Sequence, residues 1–78
     1  MDKITEIVGG GIRTEKAISR PSGFTGEVMA VIPIIWTNPS WIMVNLAYNT
    51  STSYYLGIYN SYTSTLTVEI TCRALILV

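Results

Sequence analysis

Hydrophobic and polar positions alternate with a period of two along most of the chain after residue 26. The last segment separates an apolar face from a polar face most cleanly. The apolar positions are Leu66, Val68, Ile70, Cys72, Ala74 and Ile76. The polar positions between them are Thr67, Glu69, Thr71 and Arg73. Because successive side chains of a strand point to opposite faces, this pattern predicts a β-strand with one buried and one solvated face.

Three earlier segments, 28–36, 41–48 and 54–59, alternate in the same way and are separated by polar turns at 37–40, 49–52 and 60–64. The first of them is apolar on both faces, which is typical of a strand that is covered on both sides. Pro33 lies within it and cannot donate a ladder hydrogen bond, so it marks an edge or a bulge. Together these features predict an edge strand covered by another chain.

The N-terminal segment gives a weaker pattern. Ile4, Ile7 and Val8 have helical spacing, and the glycines at 9–11 end whatever structure they form. Residues 12–19 alternate loosely, as an edge strand would, and 20–23 form a turn. We therefore expect an N-terminal arm or short helix with a glycine hinge over 1–11, and a single β domain over 12–78.

The predicted fold is all-β. Strands of this spacing, joined by short turns, indicate a small antiparallel β-sandwich or a barrel-like meander of five or six strands. Ile34, Val44, Leu56, Val68 and Ile70 are the strand positions expected in its core. In strict alternation, Tyr48 shares a face with Val44.

Size and charge indicate that the chain does not work alone. The 78 residues carry no net charge, and no charged side chain occurs between Val28 and Leu66. A domain of this length buries only about 60–65% of its unfolded surface, and small domains usually need disulfides, metals or partner subunits. A long uncharged stretch is a poor solvated shell, so we expect a homo-oligomer, with a trimer preferred.

Several function classes lack their usual residues. The chain has one cysteine and no histidine, and after residue 20 its only carboxylates are Glu27 and Glu69. We therefore expect neither an enzyme nor a metal or other cofactor. The absence of a basic cluster argues against nucleic acid, and the apolar runs are too short for membrane insertion as helices. Cys72 is interpreted as a small hydrophobic residue, and the Asn49-Thr50-Ser51 sequence as turn chemistry.

The aromatic residues are the candidate binding groups. Seven of them fall between positions 36 and 62 among Asn, Ser and Thr: Trp36, Trp41, Tyr48, Tyr54, Tyr55, Tyr59 and Tyr62. Aromatic faces beside short polar side chains hold sugar rings and also form hot spots at protein interfaces. Half of these residues should be core. The positions nearest the turns form the predicted ligand-binding set: Trp41, Tyr55, Tyr59, Tyr62, Asn38 and Asn60.

The predicted recognition surface lies on the turns, because strand residues must pack whereas turn residues vary freely. If the 38–41 and 60–64 turns lie at the same end, Trp41, Tyr59 and Tyr62 would line a shallow groove there. A third turn at 49–53 is the other candidate.

Residues 24–78 resemble the C-terminal tip domains of bacteriophage tail fibres and receptor-binding proteins. The resemblance is one of pattern: an apolar strand ending in proline, a strand with an Asn-Thr-Ser turn, a Tyr, Ile and Asn strand, and a last strand with an apolar end. The matching segments are Val31-Ile32-Pro33, Tyr48-Asn49-Thr50-Ser51, Tyr55-Leu56-Gly57-Ile58-Tyr59-Asn60 and Val68-Glu69-Ile70-Thr71-Cys72-Arg73-Ala74-Leu75-Ile76-Leu77.

The resemblance implies a homotrimeric β-sandwich or barrel in a virion that attaches to a host by binding surface glycan. Its expected partners are further copies of itself, the glycan, and other virion proteins through the N-terminal arm. Such a protein would be made in the host cytoplasm, which one unpaired cysteine fits. Two alternatives stay open: a structural or trimerisation module of a virion or other assembly, and a carbohydrate-binding module of a cellular enzyme.

Overall fold

The structure, a computed structural model, describes residues 3–20, 23 and 26–76. Within that part the chain forms strands and turns and contains no helix. The strands are β1 (Ile4–Val8), β2 (Arg13–Ser19), β3 (Val28–Ile35), β4 (Ile42–Asn49), β5 (Ser53–Asn60) and β6 (Leu66–Ile76). The prediction of an all-β fold with five or six strands is confirmed.

The strands form two three-stranded antiparallel sheets, in the orders β1-β6-β3 and β2-β5-β4. We name them the β6 sheet and the β5 sheet after their central strands. Only β4 and β5 are both consecutive in the chain and paired, so the predicted barrel-like meander is wrong. β3 pairs with β6 and not with β4, which places Ile35 opposite Ile70 and Val31 opposite Ala74.

Of the two structures predicted for the N-terminal segment, an arm or a short helix, the helix is wrong, because residues 4–8 are a strand on one side of β6. Ile4 pairs with Ile70 and Val8 pairs with Leu66. Residues four apart share a face both in a helix and in a strand, so the spacing of Ile4 and Val8 fits either structure. The position of Ile7 distinguishes the strand from a helix. Ile7 is 71% exposed on the outer face, whereas a helix would have placed it beside Ile4 and Val8.

The inward side chains of both sheets form one hydrophobic cluster. Its buried members are Val8, Val28, Ile42, Tyr54, Leu56, Ile58, Val68 and Ile70. Val44 packs against this cluster as predicted. Ile34 does not, because it lies opposite Thr71 on the outer face of the β6 sheet and is 49% exposed.

Two register shifts change which side chains face outwards. The shift in β3 lies between Val28 and Ala30, and the shift in β4 lies between Leu46 and Tyr48. An extra residue in one strand reverses the alternation beyond it. Tyr48 therefore turns to the outer face opposite Tyr55, so its predicted place on the face of Val44 is wrong.

Candidate functional site

The two connections that carry Trp41 and Tyr62 lie together at one end of the protein. The Ser61 backbone N–H and hydroxyl both donate to the Trp41 carbonyl oxygen, at 2.9 and 2.8 Å. The Trp41 N–H donates to the Asn38 carbonyl at 3.0 Å, closing a tight turn. These hydrogen bonds fix the backbone that positions the Trp41 ring.

Asn38 shapes this turn through its own backbone. Its φ of 54° lies in the left-handed region, which Asn tolerates better than most residues. Its side-chain amide donates to the Thr67 carbonyl at 3.2 Å, which ties the turn to β6. Asn38 is exposed, and it lies three residues from Trp41 within the predicted set.

The Trp41 and Tyr62 rings contact each other on the surface. Their centroids are 4.8 Å apart and their planes are tilted by 51°. Trp41 is 44% exposed and Tyr62 is 38% exposed. A tilted pair of this kind is a favourable aromatic geometry, and it leaves part of each ring open to a ligand.

Asn60 lies at the same end but faces the interior. Its side chain is fully buried, donates to the Val8 and Ser64 carbonyl oxygens at 2.9 Å each, and accepts from the Tyr62 N–H at 2.8 Å. The amide thus holds the β5–β6 connection against β1. In this arrangement Asn60 positions Tyr62 and does not face an external ligand.

Tyr55 and Tyr59 lie on the outer face of β5 and not on the two connections that carry the turn pair. Tyr59 is 36% exposed and opposes Met43 on one side and Arg13 on the other. Tyr55 is half-buried and stacks on Tyr48, with centroids 4.4 Å apart and planes within 12° of parallel. The structure therefore divides the predicted aromatic residues between a turn pair and a sheet face.

The outer face of the β5 sheet contains further polar residues that the pattern did not identify. Gly57 lies between Tyr55 and Tyr59 on this face, with Asn45 opposite it on β4 and Glu15 opposite it on β2. These residues come from three separate segments. Only the strand register brings them together, so alternation within each strand contains no signal for the cluster.

The outer face of the β6 sheet is apolar along β3 and at Leu75, and polar along the rest of β6, at Thr67, Glu69, Thr71 and Arg73. Ile32, Ile34 and Leu75 are 64%, 49% and 62% exposed. At its border, the Trp36 indole N–H donates to the Thr71 hydroxyl at 3.1 Å, and the Lys3 ammonium lies 5.1 Å from the Trp36 ring centroid. The part of this face around Ile32, Ile34 and Leu75 has few groups that could position a small polar ligand.

An open depression lies at the other end of the protein, lined by Arg20, Glu27, Asn49, Thr50 and Ser51. The Asn49 amide accepts from the Val28 N–H and donates to the Val28 carbonyl, both at 2.9 Å. It also accepts from the Arg20 guanidinium at 3.0 Å. Within the turn, the Thr50 N–H donates to the Ser53 carbonyl at 2.8 Å and the Ser53 N–H donates to the Thr50 hydroxyl at 3.0 Å, which supports the interpretation of Asn49-Thr50-Ser51 as structural turn chemistry.

Among the described residues, desolvation raises the pKa of three titrating groups. Desolvation raises the pKa of the Cys72 thiol, and it is also the main cause of the raised pKa of Tyr54, to which the nearby Cys72 adds. Cys72 therefore stays protonated at neutral pH and is a poor nucleophile. The pKa of Tyr48 is raised by desolvation first, then by Tyr55 and Glu15. Among the described residues, no group of His, Cys, Asp and Glu side chains has a metal-binding arrangement.

Comparison of the chain with protein-family models, with curated proteins and with solved structures finds no match. Nor does the part of the chain that the structure describes include a helix long and apolar enough to cross a membrane.

Proposed function

We propose that this chain is a non-enzymatic module that binds carbohydrate on a host cell surface, as a homo-oligomer at the tip of a bacteriophage tail fibre. The observation that carries the binding proposal is the exposed pair of Trp41 and Tyr62 rings, which contact each other on a hydrogen-bonded turn. A module with only a structural role has no need to display two aromatic rings at one end.

The chemistry of this pair suits a sugar ring. Each ring offers an apolar face for the C–H groups of a pyranose, and the Trp41 indole N–H and Tyr62 hydroxyl can hydrogen-bond with sugar hydroxyls. One aromatic contact contributes about 1 kcal/mol beyond its buried area, so a single site would be weak. Several linked copies on one fibre would strengthen attachment through avidity.

The proposed architecture is a small β-sandwich. Two sheets that bury their inner side chains in one cluster are typical of that fold, in which the sheets pack about 10 Å apart. Such a scaffold presents turns at both ends, and Trp41 and Tyr62 lie together at one of them.

The proposed oligomer, a trimer by the resemblance, packs further copies against the apolar outer face of the β6 sheet. Ile32, Ile34 and Leu75 form the apolar part of this surface, and patches of this kind usually mark interaction sites. A second copy suits the face because Glu69 and Arg73 both lie on β6, two residues either side of Thr71, and supply opposite charges. In the proposed assembly Arg73 of one copy joins the exposed ion pair that Glu69 of the other forms with Lys3 at 3.5 Å.

Sheet extension at the free edge of β3 is a less favourable way to assemble. The Trp36 N–H donates to the Glu69 carbonyl at 2.8 Å, which makes Ile35–Ile70 a non-hydrogen-bonded pair. The two kinds of pair alternate along the ladder, so Pro33–Cys72, two residues before Ile35–Ile70, is also a non-hydrogen-bonded pair. The Pro33 nitrogen therefore points away from β6, towards the free edge of β3. Because proline has no N–H to donate there, it blocks edge-to-edge pairing, and association through the face is favoured.

The N-terminal strand is the proposed contact with other virion proteins. Its inner side chains are committed to the core and to an ion pair of Glu6 with Lys16 on β2, at 3.2 Å. The exposed Ile7 is the apolar group that β1 offers to a neighbour.

A structural or trimerising module is the second candidate, and the apolar face of the β6 sheet favours it. The two functions differ in what the Trp41 end does. A purely structural module keeps its full function when that end is altered, whereas a binding module loses affinity.

The test is a glycan array probed with the intact protein and three variants. Trp41→Ala and Tyr62→Ala should each weaken binding about fivefold, as expected for a loss of about 1 kcal/mol. The control is Ser40→Ala, an exposed neighbour in the same turn, which should bind like the intact protein. Oligomer mass and melting temperature should stay nearly unchanged in all three. If the Trp41 or Tyr62 variant instead loses the oligomer, these rings belong to the assembly and the structural function is correct.

A further inference from the structure

Three parallel rows of side chains cross the outer face of the β5 sheet. Directly opposed residues of antiparallel strands lie on the same face, so the strand register defines the rows. The rows are Met43–Tyr59–Arg13, Asn45–Gly57–Glu15 and Tyr48–Tyr55–Ala17. A polar row with no side chain at its centre thus lies between two rows that contain tyrosine.

The gap at Gly57 is occupied by neighbouring side chains. A Cβ atom at this position would clash with the Arg13 guanidinium and would lie 2.6 Å from the Asn45 amide oxygen. Glycine in a central strand usually marks a close approach of another group, and here that group is the guanidinium. Arg13 therefore lies across the middle row and lines its floor.

The middle row combines donors and acceptors without excess charge. Arg13 and Glu15 form an ion pair at 3.5 Å, and both side chains are nearly half exposed. The guanidinium supplies N–H donors, the carboxylate supplies acceptors, and the Asn45 amide supplies both. Such a set matches neighbouring hydroxyls, and its balanced charge gives no preference for an acidic ligand.

We propose that this middle row is a second subsite for the same carbohydrate, with one neutral pyranose seated on the Arg13 guanidinium that covers Gly57, between Tyr55 and Tyr59. Asn45, Glu15 and Arg13 hydrogen-bond its hydroxyls. The subsite depends on the proposed function, and it adds both the ligand class, a neutral oligosaccharide, and three recognition residues on the strands.

The subsite and the Trp41 end form a continuous surface. Trp41 precedes β4 by one residue, and Trp41, Met43 and Asn45 are all exposed and alternate along the chain. From Tyr55, beside the subsite, to Ser61, which bonds to Trp41, an extended chain covers about 20 Å at 3.3 Å per residue. A linear oligosaccharide of several sugars therefore fits the surface better than a single sugar.

Two substitutions test the subsite. Asn45→Ala removes an exposed amide, and Gly57→Ala adds a methyl group that displaces Arg13 and Asn45. The atoms in the way of this methyl group are side-chain ends with no backbone among them, so the strand should tolerate it. Thr5→Ala, at an exposed position on the other sheet, is the matched control.

The probes are immobilised neutral hexose and N-acetylhexosamine oligosaccharides of one to six units, with sialylated and uronic-acid oligosaccharides beside them. Asn45→Ala and Gly57→Ala should each reduce affinity for the longer neutral probes about fivefold or more, because each removes or displaces a hydrogen-bonding group. The control should bind unchanged, and all variants should keep the oligomer mass of the intact protein.

Three results would overturn the subsite or the ligand class assigned to it. Loss of binding in Trp41→Ala with full binding in Asn45→Ala and Gly57→Ala would reject it while leaving the proposed function in place. Tighter binding of the acidic probes by the intact protein would reject the neutral ligand. Absence of binding to every probe would reject the subsite and the carbohydrate function together. Should Gly57→Ala fail to fold, Asn45→Ala alone decides the first result.

Discussion

The side chain of Asn60 connects three parts of the backbone. Its amide donates to the carbonyl oxygens of Val8 and Ser64 and accepts from the N–H of Tyr62. Because this side chain is fully buried, its loss removes a partner of the Val8 carbonyl in the interior, and of the Ser64 carbonyl and Tyr62 N–H nearer the surface. The residue thus links the end of β1 to the turn that carries Tyr62.

Asn60→Ala should lower the free energy of unfolding by about 2–3 kcal/mol, because each unsatisfied buried polar group costs about 1–3 kcal/mol. The control is Asn45→Ala, an exposed amide on β4, which should change stability by less than about 0.5 kcal/mol. Urea denaturation followed by circular dichroism measures both. Equal stability of the two variants would contradict the assigned role of Asn60.

The interior position of Asn60 could have been predicted from the sequence. Tyr54, Leu56 and Ile58 alternate as the buried face of β5, and position 60 continues that alternation. The prediction that grouped Asn60 with ligand-binding residues used only its nearness to a turn. The outward position of Tyr48 could not be predicted in this way, because it depends on a bulge, and the alternation of side chains does not show where a bulge occurs.

At the scale of strands, the sequence predicts where the strands lie along the chain better than it predicts which strands pair. The segments that became β3 to β6 were predicted from alternation, but β1 was not, because the spacing of Ile4 and Val8 fits helix and strand alike. Pairing depends on which apolar faces bury each other across long separations, and this is a property of the whole core. The middle row of the β5 sheet consequently could not be predicted.

The connection between β1 and β2 provides a test at this scale. A Cβ atom on Gly10 would lie 2.5 Å from the Thr63 carbonyl carbon and 2.8 Å from the Ser64 nitrogen. These are backbone atoms of the β5–β6 connection, which cannot move aside as a flexible side chain does. Gly10 is therefore required where the two connections meet.

Gly10→Ala should destabilise the protein by about 1–3 kcal/mol, the usual range for overpacking, and should lower its melting temperature. Gly11→Asn is the matched control, because nothing lies within 4 Å of its Cβ position and Asn tolerates its φ of 71°. Thermal denaturation of both variants is the measurement. A Gly10→Ala protein as stable as the control would show that the two connections are not in close contact.

For the whole molecule, the two outer faces have different chemistry. The β6 sheet presents Ile32, Ile34 and Leu75, whereas the β5 sheet presents Tyr48 and Tyr59 beside polar groups. The proposed function assigns self-association to the first face and carbohydrate binding to the second. Each assignment predicts that one face can be altered without loss of the other function.

Ile32→Glu should dissociate the oligomer, because it places a charge in the proposed apolar interface. The subunit itself should stay folded, because position 32 is 64% exposed and lies opposite Arg73, which can pair with the new carboxylate. Met43→Glu, at a position 66% exposed on the β5 sheet, is the matched control and should keep the oligomer. Light scattering at micromolar concentration should give a multiple of 8.6 kDa for the intact protein and the control, and 8.6 kDa for Ile32→Glu. A folded, soluble monomer of the intact protein would contradict the proposed assembly.

Contact between Trp41 and a sugar ring is measured most directly by tryptophan fluorescence. The chain has two tryptophans, so Trp36→Phe leaves Trp41 as the only one, and Trp41→Phe leaves Trp36. Titration with the neutral oligosaccharide that binds best on the array should shift the emission of the Trp36→Phe protein to shorter wavelength, with saturation, because stacking removes water from the indole. The Trp41→Phe protein should show no shift. An unchanged emission from Trp41 at saturating oligosaccharide would contradict carbohydrate recognition at this end of the protein.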